Sequence, residues 1–235
     1  MIGIDRYARL SQRLGYQFSN VELLQQALTH RSAAKQHNER LEFLGDGLLN
    51  ALVGAALYGR RPRDDEGALS RLRASLVRES TLAGIARDFD LGAVLQLGES
   101  ERKSGGHRRD SLLADALEAV LGAIWLDAGF DEAQRCCLRW FEGLMDALPD
   151  PELLKDAKTR LQEWLQARGR PLPQYAMLTA SGPPHRRRFV VRVSAGDAAL
   201  SAEAEGGSRR EAEQRAAHAL LISLGVPVVT GPEAN

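Results

Sequence analysis

Cysteine is scarce in this sequence. Cys136 and Cys137 are its only two and stand side by side in a helical pattern, so neither a disulfide framework nor a cysteine-held zinc site is available. Both read as core or half-buried helix residues. Long apolar runs are missing as well: nothing approaches the roughly 18 consecutive apolar residues of a membrane helix. Residues 1–13 carry charges where a secretory signal would be apolar, and a cytoplasmic protein with no membrane partner is expected. The sequence has no P-loop and no dinucleotide fingerprint, and no small-molecule cofactor is expected. His30, His37 and His107 lack the spacing of a paired-histidine metal site and read as helix-end or surface residues.

Net charge is absent too, with 31 Lys and Arg against 31 Asp and Glu. That zero joins two unlike parts: residues 1–150 hold 19 basic and 22 acidic side chains, whereas residues 151–235 hold 12 and 9. An acidic body followed by a basic module suggests a metal-binding or catalytic part joined to a part that meets a polyanion. A length of 235 residues has room for one large domain or for a medium one and a small one.

Residues 6–14, 20–28, 39–58, 66–75, 79–89, 111–128 and 131–148 place apolar side chains at three-to-four spacing, which predicts an all-α domain over 1–148. Pro149-Asp150-Pro151 cannot continue a helix, so residues 149–155 read as a linker. Beyond it the period changes. A helix at 156–167, strands at 174–180, 186–194 and 199–205, and a helix capped by Ser208 and running to 224 predict a small α+β module, α-β-β-β-α, over 156–225. Residues 226–235 read as a disordered tail.

The chemistry concentrates in residues 38–50, N-E-R-L-E-F-L-G-D-G-L-L-N. On a helix, Leu41, Leu44, Leu48 and Leu52 share one face while Glu39, Glu42 and Asp46 line the opposite one. Like charges in a row repel unless solvent or a cation compensates them, and hard divalent ions take oxygen ligands of this kind. The row is either a solvated acidic face or one edge of a metal site. Asn38 reads as the N-cap, and Asp46 lies beyond the first turn in which the helix dipole favours an acid. Gly45 and Gly47 each cost a helix about 1 kcal/mol against Ala, which implies that something approaches the backbone closely. Phe43, on the acidic side, is either an exposed aromatic or a contact with another chain. Asp115 and Glu118 share a face of the later helix. If the two helices pack together, Glu42, Asp46, Asp115 and Glu118 form a four-carboxylate site that fits Mg²⁺. At the start of the last helix, Ser208, Arg209 and Arg210 combine backbone amides with two guanidinium groups, a combination suited to phosphate.

These strings resemble one family. E-R-L-E-F-L-G-D at 39–46 and L-A-D-A-L-E-A-V-L-G-A at 113–123, with A-L-T-H-R-S at 27–32, D-E-G at 65–67 and K-S-G-G at 103–106, are similar in order and spacing to ribonuclease III in its bacterial two-domain form. Residues 156–225 resemble a double-stranded RNA-binding domain, which reads A-form shape. The resemblance implies an Mg²⁺-dependent endonuclease, with Mn²⁺ as a substitute, that cuts double-stranded RNA as a homodimer and leaves 5′-phosphate and 3′-hydroxyl ends. It also implies processing of ribosomal RNA precursors and of some mRNAs and tRNAs. By position it makes Glu42, Asp115 and Glu118 metal ligands, Asp46 a further catalytic carboxylate beside Glu118, and Glu39 and Glu66 supporting acids. Phe43 becomes an aromatic seated in a partner's pocket, against the alternative of a locally buried ring. Thr159, Gln162, Glu163, Pro184, His185, Ser208, Arg209 and Arg210 become RNA contacts. A non-catalytic double-stranded RNA-binding or ribosome-associated protein on the same fold is the alternative, and acids at all six positions favour the enzyme. Glu211 and Glu213 stand where many such modules are basic, which predicts modest affinity.

Overall fold

Why the chain folds around one helix is clear from α7 (Asp110–Ala128), in which Leu112, Leu113, Leu117, Val120, Leu121 and Ile124 are all buried. A helix that is apolar on nearly every side, with only Asp115 and Glu118 breaking its middle, belongs at the centre of a domain. In the computed structural model, which describes residues 2–183 and 186–226, α7 packs against α2 (Val21–Ala27), α3 (Glu39–Arg60), α5 (Glu79–Asp88) and α8 (Phe130–Asp146). α1 (Ile2–Leu14) and α4 (Glu66–Val77) complete the long helices of this unit, Met1–Leu148. α3 is long and apolar enough by composition to cross a bilayer. Its hydropathy has a local explanation, since Leu41, Leu48, Leu49, Leu52, Val53 and Leu57 are buried.

Two features depart from the periodic reading. α1 begins at Ile2 rather than at residue 6, and a further short helix, α6 (Glu99–Lys103), occupies the stretch before the K-S-G-G string. Five residues make less than two turns, too few for a repeating apolar face to emerge. The Trp140 indole N–H on α8 donates to the Leu14 carbonyl at 3.0 Å, tying the end of α1 to the body.

The second unit, Pro149–Asn235, is built on an antiparallel sheet of order β1-β2-β3. Its strands are β1 (Gln174–Ser181), β2 (Arg188–Ala195) and β3 (Asp197–Gly206), with α9 (Ala157–Gln166) before the sheet and α10 (Arg209–Ser223) after it. Leu161 and Leu165 of α9, Val193 of β2 and Ala217, Leu220 and Leu221 of α10 meet in its core. Residues 149–155, read from sequence as a linker, carry a 3-10 turn at Pro151–Leu154. Lys155 closes that segment onto α9, its Nζ lying 2.7 Å from Glu163. Pro184, His185 and residues 227–235 of the expected tail lie outside the described residues.

Candidate active site

The segment before α3 sets the entry to the site. Gln96 donates to the Leu28 carbonyl at 2.8 Å and accepts from the His30 amide at 3.0 Å, while the Asn38 amide donates to the Thr29 carbonyl at 2.9 Å. The loop is thereby held at both ends. Asn38 does not cap α3 with its side chain: it is buried and itself helical at φ −80°, ψ −17°. Its carbonyl begins the helix by accepting from the Leu41 and Glu42 amides. The same loop carries Arg31 to Glu39, at 3.1 Å.

α3 and α7 cross at close range because glycines face each other's backbone. A Cβ on Gly45 would collide with the Glu118 carbonyl oxygen, and one on Gly122 with the Leu41 carbonyl oxygen. Gly45 therefore answers the close approach that the sequence implied. Gly47 does not, since nothing lies within 4 Å of the position its Cβ would take. At this crossing one carboxylate oxygen from each of Glu42, Asp115 and Glu118 comes within 4.8 Å of the others. All three side chains are half-buried, two of them on the most apolar helix of the chain.

Partial burial and mutual repulsion, only weakly opposed by cations, govern the electrostatics. Glu118 is pushed up to about 8, first by desolvation and then by the charges of Asp46, Asp115 and Glu42. Desolvation also raises Glu42, helped by Asp115, Glu39 and Asp46, with Arg31 opposing. Asp115 is raised by desolvation and by Glu79 and Glu39, with His30 opposing. Among the described residues, every charge acting on Glu118 is negative. An oxygen-only, half-desolvated set that resists ionisation by itself has the chemistry of a hard divalent-ion site, so a metal ion fits it.

The remaining acids are placed differently. Asp46 is exposed at the rim, where its Oδ1 accepts from the Asn50 side-chain amide at 2.8 Å. Glu39 also lies on the rim, paired with Arg31. Glu66 is apart from the cluster: it is exposed at the start of α4, accepts from the Ser70 hydroxyl at 2.8 Å, and lines an open hollow with Tyr58, Leu69 and Arg73. Phe43 is 82% exposed. Sequence reasoning gave Glu79, Arg31 and Asn50 no role and read His30 as a helix-end or surface residue. Only Asn50, four residues after Asp46 on one helix, left a readable signal.

Residues 20–144 match the ribonuclease-III-like family model, and residues 157–224 match that of the double-stranded RNA binding motif. A ribonuclease 3 of Xanthomonas oryzae pv. oryzae is 54% identical over 219 residues, which is 92% of this chain and 97% of that one. The chain belongs to the ribonuclease III family. A ribonuclease 3 of Xylella fastidiosa strain M23 is 56% identical over 210 residues, covering 89% of this chain and 92% of its own. The crystal structure of the ribonuclease III nuclease domain from Campylobacter jejuni superposes with a TM-score of 0.59 at 43% identity, over 63% of this chain and all of that one. Family membership makes this chain an endoribonuclease joined to a double-stranded RNA-binding module.

In that module of the ribonuclease III chain, Ser208 caps α10, its hydroxyl accepting from the Glu211 amide at 3.1 Å. Glu211 returns the favour one residue earlier, accepting from the Gly207 amide at 2.8 Å. Arg209 and Arg210 follow on the exposed first turn. Thr159, Gln162 and Glu163 are exposed on α9, which packs against α10. Two of them have local partners: Thr159 donates its hydroxyl to Asp156 at 2.9 Å, and Glu163 holds Lys155. Glu213 lies between Lys158 and Arg209, at 2.6 and 2.9 Å.

Proposed function

We propose that this endoribonuclease hydrolyses double-stranded RNA with Mg²⁺ held by Glu42, Asp115 and Glu118, Mn²⁺ being a substitute, and leaves 5′-phosphate and 3′-hydroxyl ends. One observation carries the reading: three half-buried carboxylates from two helices converge within 4.8 Å of one another, and the charges acting on Glu118 among the described residues are all negative. When bound there, a divalent ion supplies charge stabilisation at the phosphate and a water of lowered pKa. The chain's own part is positional. α3 and α7 fix the three ligands, Asp46 stands at the rim as the further catalytic carboxylate, and Glu39 and Glu66 are supporting acids. Thr159, Gln162, Glu163, Ser208, Arg209 and Arg210 of the second domain, with Pro184 and His185, contact the duplex. The boundaries of this division are 1–148 and 156–225, and the enzyme works in the cytoplasm on ribosomal RNA precursors and other structured transcripts.

The active form is a homodimer. Phe43, next to the ligand Glu42 on α3 and almost wholly exposed, supports this, as does the description of a Campylobacter jejuni nuclease domain as having a region involved in dimer formation. Phe43→Asp should shift sedimentation toward monomer, and an unchanged dimer would remove Phe43 from the interface. For the chemistry, Glu118→Gln should bind a labelled duplex as wild type does and cut it on the order of 10³-fold more slowly, the loss of several kcal/mol of charge stabilisation. Ca²⁺ should support binding without cleavage. Near wild-type cutting by Glu118→Gln, or cutting without any divalent ion, would overturn the mechanism.

A further inference from the structure

We infer that Asn50 is a positioning residue for Asp46. The inference rests on the proposed role of Asp46 as a catalytic carboxylate. Its side-chain amide, one turn beyond Asp46 on α3, donates to Asp46 Oδ1 at 2.8 Å and to the Asp46 backbone carbonyl at 3.0 Å. Asp46 is exposed, and an exposed aspartate otherwise samples several side-chain rotamers. The bond to Oδ1 favours the orientation that keeps one carboxylate oxygen on Asn50 and leaves the other for the reaction, while the bond to the backbone carbonyl fixes the donor itself. Asn50 is half-buried, and as an amide it donates to a carboxylate without adding charge to an already acidic site. An aspartate of the same shape at position 50 would repel Asp46 instead.

Asn50→Asp, which keeps the shape and removes the donor, and Asn50→Ala test this in the full chain. Both should lower kcat by about 10- to 100-fold, the usual cost of losing an outer partner that orients a functional ligand, while duplex affinity in a gel shift stays the same. In an Asp46→Ala background, Asn50→Ala should cause no further loss, because there is no carboxylate left to orient. In metal-free ¹⁵N-labelled protein, the Asn50 side-chain amide should carry one downfield proton that moves upfield on Asp46→Ala. Wild-type kcat in both Asn50 variants, an additive loss in the double variant, or an amide signal indifferent to Asp46→Ala would overturn the positioning role. An active Asp46→Ala enzyme would instead show that the reading of Asp46 had failed, and the inference with it.

Discussion

Glu118 of the nuclease unit and Glu213 of the RNA-binding module are both partly buried glutamates on helices that pack into a core, and their surroundings drive them in opposite directions. Desolvation, and then the charges of Asp46, Asp115 and Glu42, push Glu118 up to about 8. Glu213, with Lys158 and Arg209 as hydrogen-bond partners, is held below the usual carboxylate range. Glu118 is the more deeply buried, and its negative neighbours add to the desolvation that raises it, whereas hydrogen bonds from two cations outweigh the slighter desolvation of Glu213. An acid whose counter-charge the chain supplies is a structural element, whereas one surrounded by like charges suits a cation from outside the chain. The unlike halves of a neutral sequence thus describe two uses of the same side chain.

The comparison breaks most completely if α3 and α7 cannot approach. Gly45→Val places a side chain against the Glu118 carbonyl, and should abolish cleavage and lower Tm on the order of 5 °C through overpacking. Gly47→Ala, two residues on and facing open space, should raise Tm slightly, which scanning calorimetry of the pair would reveal. Removing the cation-rich module is the next largest change. The unit Met1–Leu148 alone should cut duplex RNA at low salt but lose on the order of 100-fold at physiological salt, since fewer phosphate contacts compete with counterions. Unchanged activity at that salt would deny the module its role in affinity.

Proton linkage gives a smaller effect and sharpens the contrast. Folding raises Glu118 from an ordinary 4.5 to about 8, so the metal-free folded chain binds the extra proton between those values and loses stability as pH rises through that window. Mg²⁺ requires the ionised carboxylate, and its affinity should climb by up to about tenfold per pH unit below 8 and level off above it. Calorimetry in buffers of different ionisation heat would detect the released proton. Glu213 behaves in reverse: its contribution is present at neutral pH and disappears as pH falls below the usual carboxylate range. Smallest of all, Glu213→Gln releases Lys158 and Arg209 and should tighten duplex binding by about two- to fivefold with a steeper salt dependence. Weaker binding would mean that Glu213 matters chiefly by aiming Arg209.

Much of this could be read from the residues because it repeats along the chain. The helical periods marked the long helices, and the i, i+3 spacing of Asp115 and Glu118 put both on one face before any packing was known. What escaped reading depends on contacts between segments distant in sequence. The Asn38 cap was replaced by a loop anchored on Gln96, which lies far along the chain, and Arg31 reaches Glu39 only because of that loop. Gly45 and Gly47 look alike in sequence, and only the arrival of α7 distinguishes them. Glu66 shared the acidic character of the cluster but not its location, because α4 directs it into a separate hollow. α6 was too short to show a period.

The glycine-lined crossing of α3 and α7 also bears on how the enzyme fails under stress. The ligands come from the two helices at the centre of the core, so they separate only when the whole unit opens. Amide hydrogens of α3 and α7 should therefore be among the last to exchange with solvent, well after those of the loop at residues 29–38. Fraying at the periphery leaves the carboxylates together. Heat inactivation should then follow global unfolding in a single step, and a divalent ion that binds only the closed crossing delays both by the same amount.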